Sequence, residues 1–267
     1  MPPLRQITSL KNPALGLVRS LESKRTRRDR RLVVVEGEDL LDAALAAGLT
    51  PVTLLVDAER FPADDPRLAA TSGVTDRYAV PTELMKKVST MGHAPRVIAV
   101  LPQPTPGDFR TVPMPPSLGL WLAGVGDPGN VGTLVRTACA FGCDWVALGP
   151  GSADASNPKA VRASMGATFR TTLLEGVRGE DLATRPGLRI VAGVVRGGVP
   201  LWEADLASPC IVALGAERAG IEDAVDAVGD AAEVVRVTIP QTDVTESLNV
   251  AAAGAVLLAE ARRQRSS

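Results

Sequence analysis

The chain has 267 residues, of which 45% are apolar, enough to fill the core of one large domain or of two ordinary ones. Its formal net charge is −1, so the protein as a whole is no polycation, and any affinity for nucleic acid must come from a local patch. No apolar run reaches the roughly 18 to 20 residues of a membrane helix, and residues 1–11 lack the apolar stretch of a secretory signal. We therefore expect a cytoplasmic protein with no membrane segment.

The first feature along the chain is a basic run at residues 19–31, RSLESKRTRRDRR, in which seven Lys or Arg residues stand against Glu22 and Asp29. Such a concentration of positive charge suits the phosphate backbone of a nucleic acid, and the candidate contacts are Arg25, Arg27 and Arg28. Charged runs are also common on ordinary solvated surfaces, so that interpretation stays open.

A small α/β/α domain is predicted for residues 1–101. Short β-branched runs predict strands, and helical periodicity predicts the helices between them. The strands are expected at residues 32–35, 51–56 and 96–101, and the helices at residues 38–47 and 81–88. Residues 102–116 hold six prolines and one glycine, too many for a helix or a central strand, which predicts a linker.

The alternation of strands and helices is stronger in residues 117–267. Strands are predicted at residues 118–125, 145–148, 189–195, 210–214 and 234–239, and helices at residues 130–141, 158–167 and 247–263. This alternation predicts an α/β domain with a mostly parallel sheet covered on both faces. The alanines and leucines of the last helix are expected to pack inward.

The three cysteines, Cys139, Cys143 and Cys210, form no CxxC pair, and His93 is the single histidine. These residues provide too few ligands for a zinc site, so we expect no metal. Cys139 and Cys143 lie one helical turn apart among apolar neighbours and are expected to be small core residues.

A glycine-rich turn follows the first strand of the second half. Gly124, Gly126 and Gly129 have GxGxxG spacing between a predicted strand and a predicted helix, where a dinucleotide fingerprint would lie. No acidic residue ends the next strand to bind a ribose, because residues 147–149 are Ala, Leu and Gly. A nucleotide-dependent oxidoreductase is therefore the weaker alternative.

The glycine-rich turn also belongs to the first of three motifs that follow one another along the chain, and this pattern is more specific than the GxGxxG spacing. They are DPGNVG (127–132) with RTA (136–138) and FG (141–142), then LGAERAG (214–220), then IP (239–240) with SLNV (247–250). With these motifs the chain resembles the SpoU (TrmH) family of RNA 2'-O-ribose methyltransferases in the SPOUT superfamily. The front of the chain, with ITS (7–9), NP (12–13), the basic run and VEG (35–37), resembles the family's ribosomal-protein-like substrate-binding domain.

The resemblance implies a fold and a cofactor. The C-terminal domain is expected to form a trefoil knot, with S-adenosyl-L-methionine bound among the knot loops. The family pattern places the cofactor contacts at Gly215, Ile239 and Leu248, with Leu214 and Gln241 nearby. Glycine permits close approach of a backbone-lined pocket to an adenosine, although Gly215 alone could be an ordinary strand-end turn. Gln241 and Asp243 replace the usual Met and Gly of the third motif, which affects side-chain details of the pocket but not backbone contacts.

The resemblance also assigns Arg136 to catalysis. A guanidinium is effectively always protonated, so it is a poor base and a good clamp for a phosphate. We expect Arg136 to orient the substrate phosphate and to stabilise the developing alkoxide. Removal of the hydroxyl proton by Arg136 or by a water stays open.

Four more residues complete the expected catalytic set. Asn130 could cap its helix or also hold Arg136 or the ribose. Glu217 could orient the arginine or accept from the substrate. Ser247 and Asn249 are expected to face the same pocket, although Ser247 could be only a helix N-cap.

The expected substrate is RNA, and 23S rRNA is favoured by the front domain and by NPK (157–159) and RASMG (162–166), which are common in the rRNA-directed branch of the family. Lys159 and Arg162 lie one turn apart and could contact phosphates or form a solvated face. A tRNA 2'-O-methyltransferase and a non-catalytic RNA-binding protein of the same fold are the alternatives. The resemblance further implies a homodimer.

Overall fold

The computed structural model describes residues 4–185, 187–242 and 246–266, and these residues form two compact units. The first unit is Met1–Pro104 together with Ser156–Phe169, and the second is Thr105–Ala155 together with Arg170–Ser267. Asp243 of the third motif lies outside the described residues.

The secondary structure alternates along the whole described chain. The strands are β1 (Arg5–Gln6), β2 (Leu32–Glu36), β3 (Thr53–Asp57), β4 (Asp76–Val80), β5 (Val97–Pro102), β6 (Leu118–Ala123), β7 (Trp145–Leu148), β8 (Leu173–Glu175), β9 (Leu188–Gly193), β10 (Val199–Pro200), β11 (Cys210–Gly215) and β12 (Ala232–Thr238). The helices are α1 (Pro13–Ser20), α2 (Lys24–Arg30), α3 (Glu38–Ala46), α4 (Pro66–Ala70), α5 (Thr82–Val88), α6 (Pro128–Phe141), α7 (Pro158–Ser164), α8 (Gly179–Ala183), α9 (Glu222–Asp226) and α10 (Val250–Arg265).

The first unit contains a mixed five-stranded sheet in the order β1-β4-β3-β5-β2. β3 and β4 are parallel, whereas β5 is antiparallel to both β2 and β3. Successive residues of β2 point into opposite cores, because side chains alternate across a strand. Val33 and Val35 share a core with α3, and Val34 shares the other core with α1 and α5. This is the predicted α/β/α layering.

Helix α7 belongs to the first unit, although it follows β7 of the second unit in sequence. Val161 is buried in the core that contains α3. Gly166 has φ +83°, and a Cβ on it would lie 2.3 Å from the Cβ of Ala43, so only glycine permits this approach. Residues 156–169 therefore pack as an inserted segment of the first unit.

The second unit contains a seven-stranded sheet in the order β10-β12-β9-β11-β6-β7-β8. Its neighbouring strands all pair in parallel, which confirms the predicted parallel sheet. Because parallel strands end at the same edge, the loops after β9, β11 and β12 leave the sheet side by side.

Helices α6 and α10 pack closely against each other in the second unit. A Cβ on Gly254 of α10 would lie 2.3 Å from Cδ2 of Leu134 of α6. The close contact between the two helices therefore requires glycine at position 254. Ala252 and Ala259 of α10 are exposed. The prediction that the alanines of this helix pack inward is wrong for these two, because one helix presents only one stripe to its core. None of the helices in the described part of the chain is long and apolar enough to span a membrane.

Candidate active site

A cavity of about 520 Å³ opens at the carboxyl edge of the parallel sheet in the second unit. Its size is within the usual range of small-molecule sites, and its place at the strand ends is where open α/β sheets bind ligands. Four stretches of chain line it: the residues after β9, the loop after β11, the end of β12 and the start of α10. These stretches include the second and third sequence motifs.

The loop after β11 is closed by its own backbone. Ala216 and Gly220 exchange backbone hydrogen bonds of 3.1 and 2.9 Å, and Gly220 has φ +74°. A Cβ on Gly215 would lie 2.0 Å from the carbonyl oxygen of Gly220. No side chain fits there, so Gly215 is required for the tight return of the chain beside the cavity.

All five residues predicted to bind the cofactor line this cavity. They are Leu214, Gly215, Ile239, Gln241 and Leu248. Residues 214 and 215 end β11, whereas residue 248 lies just before α10, so the fold brings together positions that are separated in sequence.

A polar cluster links the three motifs beside the cavity. Nδ2 of Asn130 donates to Oε1 of Glu217 at 2.6 Å, and Nδ2 of Asn249 donates to Oδ1 of Asn130 at 3.2 Å. Glu217 and Asn249 also line the cavity. Asn130 therefore connects a residue of the second motif to a residue of the third, and we name these three residues the Asn130 cluster.

The helix caps differ from the predicted ones. Helix α6 begins at Pro128 and is capped by Asp127, whose carboxylate accepts from the Asn130 backbone N–H at 2.9 Å. The alternative of Asn130 as the cap is therefore wrong, and its side chain is available to the cluster. Asn249 rather than Ser247 caps α10, and Ser247 is an exposed residue of the cavity wall.

Arg136 is not brought into this cavity. It lies on an exposed face of α6, six residues after Asn130, and makes no hydrogen bond or ion pair with any residue of the described ranges. Six residues of α-helix span about 9 Å along the axis and turn the side chain to another face. Within one chain, the predicted clamp therefore points away from the Asn130 cluster.

The basic run forms α2, and its arginines separate into two kinds. Arg25 is 90% exposed and Arg28 is also exposed, as RNA contacts require. Arg27 is only 1% exposed. Its guanidinium donates to the carbonyl oxygens of Leu21 and Glu22 at 2.9 and 2.7 Å and to Oγ of Ser156 at 3.2 Å. The prediction of Arg27 as an RNA contact is therefore wrong: it holds the inserted segment 156–169 inside the first unit.

Lys159 and Arg162 of α7 also differ from each other. Lys159 is exposed. Arg162 donates to Oγ1 of Thr90 at 2.7 Å and lies 3.6 Å from the buried carboxylate of Glu36. Glu36, the acid of the VEG motif, also accepts from Ser89 and Thr90. Arg162 therefore has structural partners within the first unit.

Cysteine chemistry plays no part in the described site. Cys139 is exposed, so the prediction of a core residue is wrong there, whereas Cys210 is buried and Cys143 is partly covered. Burial raises the pKa of the Cys143 thiol to about 12, so it stays protonated at neutral pH. Among residues 4–185, 187–242 and 246–266, no group of three or more His, Cys, Asp or Glu could hold a metal ion.

Sequence reasoning missed the cavity wall formed after β9 and the charged residues beside it. Val194, Val195 and Arg196 line the cavity, as do Arg218 and Glu222. None of the three motifs includes residues 194–196. The available signal was topological, since any strand ending at the same edge of a parallel sheet contributes its loop to the site.

Comparisons with known proteins agree with this geometry. Residues 117–259 match the SpoU rRNA Methylase family, and residues 12–99 match the MRM3-like substrate binding domain. An uncharacterized tRNA/rRNA methyltransferase of Synechocystis is 34% identical, with 98% of this chain and 95% of the relative aligned. The 23S rRNA (guanosine(2553)-2'-O)-methyltransferase RlmP of Bacillus subtilis is 29% identical, with 96% of this chain and 98% of the relative aligned.

A solved structure shares the whole architecture. The AdoMet-bound rRNA methyltransferase from Sinorhizobium meliloti superposes with a TM-score of 0.84 at 28% identity, covering 97% of this chain and 98% of the other. The match to the family extends over more than half of the sequence and includes all three motifs, of which the second and third line the cavity. The chain belongs to the SpoU rRNA methylase family.

Proposed function

We propose that the protein transfers a methyl group from S-adenosylmethionine to a ribose 2'-hydroxyl of RNA, with 23S rRNA as its substrate. The observation that carries this proposal is the Asn130 cluster, which joins the three motifs at the wall of a cavity of cofactor size. The Bacillus relative is named for 2'-O-methylation of 23S rRNA, and the Sinorhizobium structure contains AdoMet.

The cavity fits an adenosine-containing cofactor. Gly215 lets the loop return tightly, because a Cβ there would clash with the Gly220 backbone, and the loop backbone that lines the cavity offers amide and carbonyl groups to an adenine edge. Leu214, Ile239 and Leu248 supply apolar wall beside it. When bound, S-adenosylmethionine supplies an electrophilic methyl group carried on a sulfonium.

The residues of the chain then position the nucleophile. The Asn130 cluster fixes the Glu217 carboxylate at the cavity wall, where it can accept a hydrogen bond from the substrate. Transfer would join the 2'-oxygen to the methyl carbon that S-adenosylmethionine supplies, with the sulfur as leaving group and the hydroxyl proton passing to water. A protonated guanidinium cannot accept that proton, so Arg136 acts as the clamp for the neighbouring phosphate and stabilises the alkoxide as it forms.

A homodimer is part of this proposal. Arg136 lies on an exposed face of α6, outside the cavity of its own chain. Val256 of the neighbouring helix α10 is 41% exposed, and Ala252 and Ala259 are exposed beside it. A second copy packed on this small, apolar face would bring each Arg136 to the cavity of its partner. Light scattering at micromolar concentration should give twice the mass of the chain, and the mass of one chain would contradict the dimer.

Two further features follow from the family. We propose that the C-terminal region of the second unit forms the family's trefoil knot, with the cavity among its loops. A cytoplasmic location goes with rRNA as the substrate.

The RNA can be identified with a ribose-methylation map of total RNA from cells with and without this protein. We expect a 2'-O-methyl group to disappear from 23S rRNA when the protein is removed. Loss from a tRNA instead would favour the tRNA methyltransferase. An unchanged map in cells that express the protein would favour a non-catalytic RNA-binding protein.

A further inference from the structure

Among the residues that the structure describes, four charged ones line the cavity, and within this described set only the two acidic residues have hydrogen-bond or ion-pair partners. Glu217 is held by Asn130 at 2.6 Å, and Glu222 pairs with Arg236 at 2.8 Å. Arg196 and Arg218 are exposed and make no hydrogen bond or ion pair with any residue that the structure describes. The wall of the cavity therefore carries two positive charges that the described part of the chain does not neutralise.

Arg196 lies in a loop that is fixed on both sides. Before it, the Val194 backbone N–H donates to the carbonyl of Val237 at 2.9 Å. After it, the Gly198 N–H donates to Oγ1 of Thr238 at 3.0 Å. A Cβ on Gly198 would lie 2.8 Å from the backbone of Arg236. The glycine lets the loop fold back onto β12, so Arg196 is presented by a built turn rather than by a loose segment.

Arg218 is also held by a closed loop, and it lines the same cavity as Arg196. It lies in the middle of the loop that Ala216 and Gly220 close through their backbones. Strands β9 and β11 are neighbours in parallel register, with Ala213 opposite Ala192. Both strands end at the same edge of the sheet, and the loops that follow them contribute Arg196 and Arg218 to the wall of the same cavity.

We propose that Arg196 and Arg218 together bind an anionic oxygen group at the mouth of this cavity. The group is a carboxylate or a phosphate, since both match the planar donor fork of a guanidinium. Two sources supply it: the carboxylate of the cofactor's methionyl end and a phosphate of the RNA. Both guanidinium groups carry a positive charge on the wall of one cavity, so an anion bound in that cavity is attracted by both. This inference rests on the proposed function.

The test compares Arg196→Gln and Arg218→Gln with the parent protein, by calorimetric titration with S-adenosylmethionine and with its decarboxylated form. Arg110→Gln is the matched control, because Arg110 is exposed in the same unit but does not line the cavity. If the anion is the cofactor carboxylate, each variant should bind S-adenosylmethionine about tenfold more weakly, the scale of one charge-assisted hydrogen bond. Both variants should then bind the decarboxylated form as the parent does.

The second arm measures affinity for a 23S rRNA fragment over a series of salt concentrations. If the anion is an RNA phosphate, both variants should keep the parent's affinity for S-adenosylmethionine, bind the RNA more weakly and show a smaller salt dependence. Parent-like binding of both cofactors and of RNA by both variants would overturn the inference. If the parent protein binds no S-adenosylmethionine, the proposed function fails, and the inference that rests on it fails with it.

Discussion

At the scale of single residues, Asn130 and Asn249 share a hydrogen bond, but only Asn249 also caps a helix. Asn249 also caps α10, with its Oδ1 accepting from the backbone N–H of Ala251 at 2.9 Å. Asn249→Ala should therefore lower the free energy of unfolding by about 1 kcal/mol, as loss of an N-cap does. Asn130→Ala removes no cap and should melt close to the parent.

Both changes should slow methyl transfer, because each releases part of the Asn130 cluster. Misplacement of a substrate-positioning group by about 1 Å can cost on the order of a hundredfold in rate. Thermal melting and single-turnover transfer are measured on the same samples. An Asn130→Ala protein with the parent's transfer rate would show that the cluster is a structural contact only.

Arg136 gives the sharpest test of the clamp. Arg136→Ala should leave folding and cofactor affinity nearly intact, because the side chain is exposed and has no partner among the described residues. Methyl transfer should fall by roughly a hundredfold or more, the scale of losing one transition-state donor. Arg136→Lys keeps the charge but loses the planar fork, so it should recover little.

The measurement for Arg136 is transfer of labelled methyl to the RNA, with cofactor affinity from titration. Unchanged transfer by the alanine variant would remove Arg136 from the mechanism. Loss of transfer together with a collapsed melting point would instead make it a structural residue.

Single residues also show where sequence reasoning stops. Arg27 and Arg28 are neighbours in one charged run, yet one is buried and the other is exposed. One of the partners of the buried Arg27, Ser156, lies 129 positions away, and no local pattern indicates that contact. In contrast, Gly215 and Asn249 could be assigned to the site because each belongs to a motif with fixed spacing.

At the scale of elements, substitutions in helix α2 can separate the predicted RNA contacts of its exposed arginines from the structural role of its buried arginine. Replacing Arg25 and Arg28 together by alanine should weaken RNA binding and lower the slope of affinity against salt by roughly one unit per lost phosphate contact. The melting point should stay near that of the parent, since both side chains are exposed. RNA affinity and slope equal to the parent's would make α2 an ordinary solvated helix.

Arg27→Ala is the structural counterpart in the same helix. It removes the charged donor to two backbone carbonyl oxygens and to the Ser156 hydroxyl, and a hydrogen bond to a charged group contributes about 1.5 to 3 kcal/mol. We expect a lower free energy of unfolding in a denaturant titration. A variant as stable as the parent would contradict the structural role of Arg27.

Alanine substitutions at two glycines should have opposite effects: Gly215 lies at the loop after β11, and Gly16 lies in α1. Gly215→Ala would force a Cβ to within 2.0 Å of the Gly220 carbonyl oxygen, so the loop must open and cofactor affinity should drop. Gly16→Ala is the control: it lies inside α1 with open space around its Cα. That change should stabilise the protein by roughly 0.5 to 1 kcal/mol. Parent-like cofactor binding by Gly215→Ala would contradict the role of the loop.

The most predictable elements were the fully buried strands of the parallel sheet, whereas α1 and β4 were missed although they have eight and five residues. The strands of the parallel sheet that are buried on both faces, such as β6 and β11, have continuous apolar runs and were found from sequence. The strands β8 and β10 have three and two residues and give no periodic signal. Helix α6 started two residues earlier than predicted, because Pro128 at the first turn and Asp127 as the cap extend it.

At the scale of the whole molecule, the prediction of a SpoU-type methyltransferase with a substrate-binding front domain is confirmed by the family matches at residues 117–259 and 12–99. The place of segment 156–169 in the first unit could not be predicted. It follows from contacts such as Val161 in the α3 core, which connect parts of the chain far apart in sequence. Helical periodicity indicates that one face of a helix is apolar, but it does not indicate against which unit's core that face packs.

The central claim is tested most directly by single-turnover transfer of labelled methyl from S-adenosylmethionine to 23S rRNA isolated from cells that lack this protein. The account predicts label at one ribose 2'-oxygen, located by resistance of that linkage to alkaline cleavage, and a loss of about a hundredfold with Asn130→Ala. Label on a base, or no label on RNA from a protein that binds the cofactor, would contradict it.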